Sequence, residues 1–196
     1  MATISERLDQ LEREIKKPRF RQNRGKANEV NYWVFDYDPK KELEVREWIN
    51  YMEHKNAKGT SEYTLAVFDM YDLMIDHLEK KHFIDKTAKL EQNRGLSRIM
   101  ESVRRTLRIT DADNVIVSYI AEYIPENAVV FLIGIGKCYP LLEAEEVFNK
   151  VLYNMPSRFA DVPMILFYPG TYTEQELIVF NEAKEHNYYR AFRIVR

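Results

Sequence analysis

The strongest constraint on this chain is an alternation. Short aromatic or aliphatic runs, each closed by Asp, Gly or Pro, are followed by segments of helical periodicity. Tyr32 to Tyr37 is aromatic and β-branched and reads as a strand. Asp38 and Pro39 then supply an N-cap and a first helical residue, and Val45, Trp48, Ile49 and Met52 share one face of the helix that follows. The pattern returns with a strand from Tyr63 to Phe68, a cap at Asp69 and a helix from Tyr71 to about His82. Further helices are predicted over 88–108 and 112–124, the second stopped by Pro125. Ala128 to Ile133 is a buried-type strand, and Pro140 opens a predicted helix over 140–153 with Leu141, Ala144, Phe148 and Val151 inward. Val162 to Tyr168 reads as another strand, closed by Pro169-Gly170. Thr173 with Glu176 has capping-box spacing and predicts a helix over 174–185, before a last strand from Tyr188 to Val195.

Strands separated by helices pair in parallel through right-handed crossovers. The expected fold is a three-layer α/β/α sandwich around a mostly parallel sheet of about five strands, with an N-terminal helix and a helical insertion between strands 2 and 3. Ligands in such sheets sit beyond the C-terminal ends of the strands. Here those ends are Asp36–Pro39, Asp69, Gly134–Pro140 and Pro169–Tyr172.

Ahead of this domain, Thr3 and Glu6 form a capping-box pattern, and Ile4, Leu8, Leu11 and Ile15 make a narrow apolar seam on a helix over 4–16. So short a helix is marginal alone and needs a surface to dock on. Lys16, Lys17, Arg19, Arg21, Arg24 and Lys26 then mark a basic linker. The division expected is a helix-plus-linker segment over 1–27 and an α/β domain over 28–196. No apolar run approaches the roughly 20 residues of a membrane span, and the opening residues lack the apolar stretch of a secretory signal. The one cysteine, Cys138, leaves no partner for an intrachain disulfide. That usage predicts a reducing, cytoplasmic setting. A net charge of −2 supplies no global field to recruit nucleic acid.

Asp36-x-Asp38 after an apolar strand has the spacing of the first motif of haloacid-dehalogenase-type phosphatases, in which one aspartate attacks phosphorus and magnesium neutralises the phosphate. That chemistry also needs later strand-end carboxylates for the metal. Gly134-Ile135-Gly136 and Pro169-Gly170 offer none. The simpler reading makes Asp38 a helix cap and Asp36 a strand-end surface residue. Gly134-Ile135-Gly136-Lys137 fails the phosphate-loop pattern, with Phe131 where a glycine belongs and Cys138 where Ser or Thr belongs. Its glycines serve a tight strand-to-helix turn instead. Cys138 lies near a helix start, a position that lowers a thiol pKa. His54, His77, His82 and His186 show no metal-ligand spacing, so no metal or cofactor is expected. Arg94, Arg98 and Arg105 form a stripe on the helix over 88–108, a candidate contact for nucleic acid or an acidic protein.

Four segments carry a family likeness. They are Asn28-Glu29-Val30 leading into Phe35-Asp36-Tyr37-Asp38-Pro39 and Glu42; Gly134-Ile135-Gly136 with Tyr139-Pro140; Phe167-Tyr168-Pro169-Gly170 with Tyr172, Leu177 and Phe180; and Asn187-Tyr188-Tyr189-Arg190-Ala191-Phe192. In this order and spacing they resemble the BrxB family of bacteriophage exclusion (BREX) systems, from about Arg19 to the C-terminus. The resemblance implies a non-catalytic adaptor in an anti-phage assembly that marks host DNA and blocks phage replication. Its implied partners are a PglZ-type phosphatase-like protein and an adenine methyltransferase. Tyr and Arg are enriched at interface hot spots. Tyr139, Tyr172, Tyr188, Tyr189 and Arg190, with the seam Ile4, Leu8, Leu11 and Ile15, are therefore the candidate partner contacts. A metal-dependent phosphatase using Asp36 and Asp38, and a DNA-binding module, are the alternatives.

Overall fold

The computed structural model describes residues 2–21, 31–173, 176–179, 183–186 and 191–195. It is a mixed α/β fold with the expected parallel sheet of five strands, in the order β2-β3-β4-β1-β7. The strands are β1 (Tyr32–Tyr37), β2 (Thr64–Asp69), β3 (Ala128–Ile133), β4 (Met164–Tyr172) and β7 (Phe192–Arg193). The chain divides into two compact units. One comprises Met1–Phe68, Ile124–Ile133 and Pro156–Arg196; the other comprises Asp69–Tyr123 and Gly134–Met155.

The first unit holds the sheet. β1 lies between β4 and β7, parallel to both, with Asp36 opposite Tyr168 and Trp33 opposite Phe192. β3 flanks β4 on the other side, with Phe131 opposite Ile165. Phe35, Phe131 and Phe167 meet on one face, with ring centroids 5.4 Å apart for Phe35–Phe167 and 4.8 Å for Phe131–Phe167. Helix α3 (Glu42–Asn56) lays Val45 and Ile49 into this cluster and stacks Trp48 on Phe131. Val34, Val130, Leu132 and Leu166 on the alternate positions are also fully buried, so neither face of the central strands meets solvent. This explains why β3 is an unbroken apolar run rather than an alternating one.

Helix α1 (Ile4–Ile15) begins on the predicted capping box: Thr3 accepts from the Glu6 amide, and Glu6 accepts from the Thr3 amide. Leu8, Leu11 and Ile15 enter the same core as Phe35 and Val45. Each such burial contributes about 1.5–3 kcal/mol, enough to fix a helix this short. The seam therefore docks within the chain. After Lys17 the chain makes a single turn, α2 (Pro18–Arg21), that buries Phe20.

The second unit is helical: α4 (Met70–Lys80), α5 (Ile84–Thr106), α6 (Val115–Tyr123), α7 (Ile135–Cys138) and the single turn α8 (Ala144–Glu146). Asn114, fully buried, caps α6 by accepting from the Val117 amide at 3.0 Å. Its own amide donates to Lys150 O at 2.8 Å and Asp111 O at 3.1 Å.

Three elements differ from expectation. The helix expected over 88–108 is interrupted at Gly95, whose φ of 74° is left-handed. Over 140–153 there is no continuous helix; the backbone turns after Tyr139, restarts at the Glu143–Glu146 box and continues through short irregular turns. Over 174–185, β5 (Glu176–Val179) and β6 (Ala183–His186) form a hairpin instead of a helix. β4 overruns the sheet through Thr171 and Tyr172, and this extension pairs antiparallel with β5. The backbone partners offered by that edge outweigh the local capping pattern.

Candidate functional site

The C-terminal end of β1 carries a buried charge cluster centred on Asp36. The residue expected at the surface is only 6% exposed. Its Oδ1 accepts from Arg7 Nη2 at 2.8 Å; its Oδ2 accepts from Arg193 Nη2 at 2.6 Å and from the Tyr172 amide at 3.0 Å. Arg7 also donates to Val195 O, and its guanidinium lies over the Phe35 ring at 4.9 Å. Arg193 donates to Tyr172 O, and the Tyr172 hydroxyl donates to Ala191 O at 2.8 Å. One carboxylate thus fastens α1, β1, the overrun of β4 and the strand at the C-terminus.

This occupancy decides what Asp36 can do. A nucleophile or metal ligand needs an oxygen lone pair aimed at open space, whereas this carboxylate is buried and both its oxygens accept charge-assisted bonds. Asp38 is exposed and accepts from the Lys40 amide at 3.0 Å, capping the turn that leads into α3. The two aspartates are a brace and a cap. Tyr37, between them, donates to Glu42 at 2.6 Å. Burial, and then the adjacent Glu42 carboxylate, push its phenol far above the ordinary value, so it remains a donor.

The segment after β3 makes the strand-to-helix turn that its glycines predict, with Gly134 at φ 78°. Lys137 does not face an open phosphate cradle. Its ammonium pairs with Asp69 at 2.5 Å and Asp72 at 3.4 Å and lies 5.1 Å from the Tyr71 ring centroid. Asp69 meanwhile caps α4 through the amides of Tyr71 and Asp72. Cys138 is fully buried, and burial followed by the Asp69 charge pushes its thiol up to about 12. The helix-start argument for an activated thiolate fails there, because Cys138 is the last residue of α7 and its burial disfavours the thiolate.

Of the other candidate contacts, Leu8, Leu11 and Ile15 are core residues and Ile4 packs against them. Tyr172 is fully buried in the Asp36 cluster, whereas Tyr139 is 43% exposed. Tyr188, Tyr189 and Arg190 lie outside the described residues, as does the linker beyond Arg21. Gly95 interrupts the register that would align Arg94 with Arg98 and Arg105. The side chain of Arg94 is outside the described set. Arg98 pairs with Glu101 at 2.6 Å, and Arg105 is exposed. Arg104 and Arg108 also face carboxylates, Glu146 at 2.8 Å for the first and Asp111 at 2.9 Å for the second. Among the described residues no three His, Cys, Asp or Glu side chains converge as a metal site, and no helix is long and apolar enough to cross a membrane.

Sequence reasoning missed Arg7 and Arg193, because their partner lies 29 and 157 residues away. The only available hint was a basic residue interrupting an otherwise amphipathic helix.

Comparison with known proteins agrees with the motif pattern. The profile of the family described as "BREX protein BrxB" matches residues 66–194. The chain belongs to the BrxB family. It is 38% identical over 195 residues to the BREX protein BrxB of Bacillus cereus (strain H3081.97), covering 100% of this chain and 99% of the relative. It is 30% identical over 191 residues to the BREX protein BrxB of Escherichia coli O9:H4 (strain HS), covering 96% and 90% respectively. No solved structure matches significantly. This BrxB-family chain is accordingly a component of a BREX system.

Proposed function

We propose that this BREX component is a non-catalytic docking subunit, acting in the cytoplasm within an assembly that modifies host DNA and blocks phage replication. The observation that carries the reading is the state of Asp36. The first carboxylate of the Asp36-x-Asp38 pair has both oxygens bound, to Arg7, Arg193 and the Tyr172 amide, and Asp38 serves as a cap. Such a cluster fixes the shape of the strand-end surface and gives Asp36 a structural task. Exposed aromatic residues suit docking; Tyr153 is 71% exposed, and the rings of Tyr119 and Tyr123 lie 4.6 Å apart on the outer side of α6. The partners proposed are the PglZ-type phosphatase-like protein and the adenine methyltransferase.

Affinity purification of the tagged chain from its host tests the proposal. Other BREX subunits are expected in stoichiometric amount, and recovery of the chain alone would count decisively against it. A parallel assay addresses the enzymatic alternative. With magnesium and a generic phosphomonoester, wild type and Asp36→Asn should give the same background rate; activity lost in the variant would restore the phosphatase reading.

A further inference from the structure

The first unit contains a half-open pocket of about 380 Å³, lined by Lys16, Arg21, Lys55, Thr60, Ser61, Glu62 and Tyr63. It lies among the end of α1, α2, the last turn of α3 and the loop before β2. Three cations face two carboxylates there, since Lys16 and Lys55 share Glu12 at 2.6 and 2.7 Å while Arg21 pairs with Glu62 at 2.5 Å. The donor count exceeds the acceptor count by more than the charges do. Lys55 spends donors on Glu12 and Tyr51, and Lys16 spends one on Glu12. Arg21 directs Nη1 to Glu62 O and Nη2 to the Glu62 carboxylate. Its Nε is buried and has no acceptor among the described residues, in a side chain that is 12% exposed. A buried guanidinium N–H without an acceptor is costly and rare in native structures. The carboxylate that now holds Nη2, that of Glu62, is 78% exposed and therefore the member of the cluster most easily displaced. Thr60 and Ser61 add hydroxyl donors at the rim, and Tyr63 supplies an aromatic wall, with Arg21 5.9 Å from its ring centroid.

We propose that this pocket binds the phosphate group of a small phosphorylated ligand. The phosphate takes Nη2 of Arg21 in place of the Glu62 carboxylate and is flanked by the ammonium groups of Lys16 and Lys55. Charge-assisted bonds from Arg and point-charge contacts from Lys are usual recognition elements for a tetrahedral dianion. The volume falls within the range of small-ligand sites and admits a mononucleotide as well as free phosphate. The inference does not rest on the docking role.

Calorimetric titration of the full chain at fixed ionic strength, with inorganic phosphate and with adenosine monophosphate against a chloride control, tests it. Saturable binding of phosphate is expected. A tighter constant for the monophosphate would mark a nucleotide as the source, and equal constants would mark free phosphate. Lys55→Gln should weaken binding about tenfold, as loss of one charge-assisted contact does. Ser61→Glu, which places a carboxylate at the rim without touching the core, should abolish it. Glu62→Gln should tighten it, an outcome that a purely structural Arg21–Glu62 pair does not produce. No heat beyond the chloride control, or constants unchanged in Ser61→Glu and Glu62→Gln, would overturn the proposal.

Discussion

Two aspartates close two strands of this molecule, and their surroundings set them apart. Asp36 ends β1 with an 8% exposed side chain and receives two guanidinium groups and a backbone amide from three distant segments. Asp69 ends β2 with an 18% exposed side chain, caps the helix directly after it and pairs with one ammonium, Lys137, itself 29% exposed. Both follow the sequence pattern Val-Phe-Asp. The difference teaches that a strand-end carboxylate takes its role from who reaches it. Two local amides and one lysine make a cap; two guanidinium groups and an amide from three distant segments make a brace.

Removing the brace charge should have the largest effect. Asp36→Ala leaves the largely buried Arg7 and the partly exposed Arg193 without their counter-ion, and breaking such a cluster costs up to about 3–5 kcal/mol. Chemical denaturation should report that loss. A change below about 1 kcal/mol would place Asp36 in the same class as Asp69. Next in size is Gly134→Ala. The left-handed φ of 78° is unfavourable for alanine, and the new Cβ would lie 2.8 Å from Asp69 Cγ, inside ordinary contact. A loss of about 1–3 kcal/mol is expected. Placed in an Asp69→Ser background, the steric part should be recovered, so the two substitutions should be non-additive. Additive losses would show that the backbone alone demands glycine there.

The same contrast explains what was legible in the sequence. Asp38, Asp69 and the Thr3/Glu6 box cap their elements as expected, because a cap is a contact between residues two or three positions apart. β1 and β3 match their predicted limits, because a strand buried on both faces is written as a continuous apolar run. The brace was invisible: nothing near Asp36 announces Arg193. The hairpin of β5 and β6 was misread for a different reason: its partners lie only 4 to 10 residues apart, but the Thr173/Glu176 spacing also fits a capping box. The interruption at Gly95 lay in plain view, but a glycine within a helical pattern does not by itself reveal its φ.

Lys137→Met should do much less than Asp36→Ala. A partly exposed pair is worth about 0–1 kcal/mol, and Asp69 keeps its two amide donors when the ammonium is gone. Denaturation of this variant beside Arg7→Met sharpens the comparison, since Arg7 is the less exposed cation and serves the buried carboxylate. Equal losses in the two variants would erase the distinction between brace and cap.

The smallest expected effect is a null one at Cys138, next to Lys137. With the thiol pushed up to about 12 by burial, the native thiolate fraction at pH 8 is minute, and the sulfur is also fully buried. A thiol reagent should therefore label the chain only as fast as it opens, and labelling should accelerate in denaturant. The sign with pH follows from the same shift. The unfolded thiol ionises near the ordinary 9.0, before the folded one, so the unfolded state sheds its proton first. Stability is then unaffected by this group below about pH 9 and declines as pH rises from there toward 12. Cys138→Ala should flatten that decline while leaving neutral-pH behaviour dominated by the lost packing. Rapid labelling of the folded chain at pH 8 would mean that the turn after β3 opens to solvent, and would return this strand end to the list of reactive surfaces.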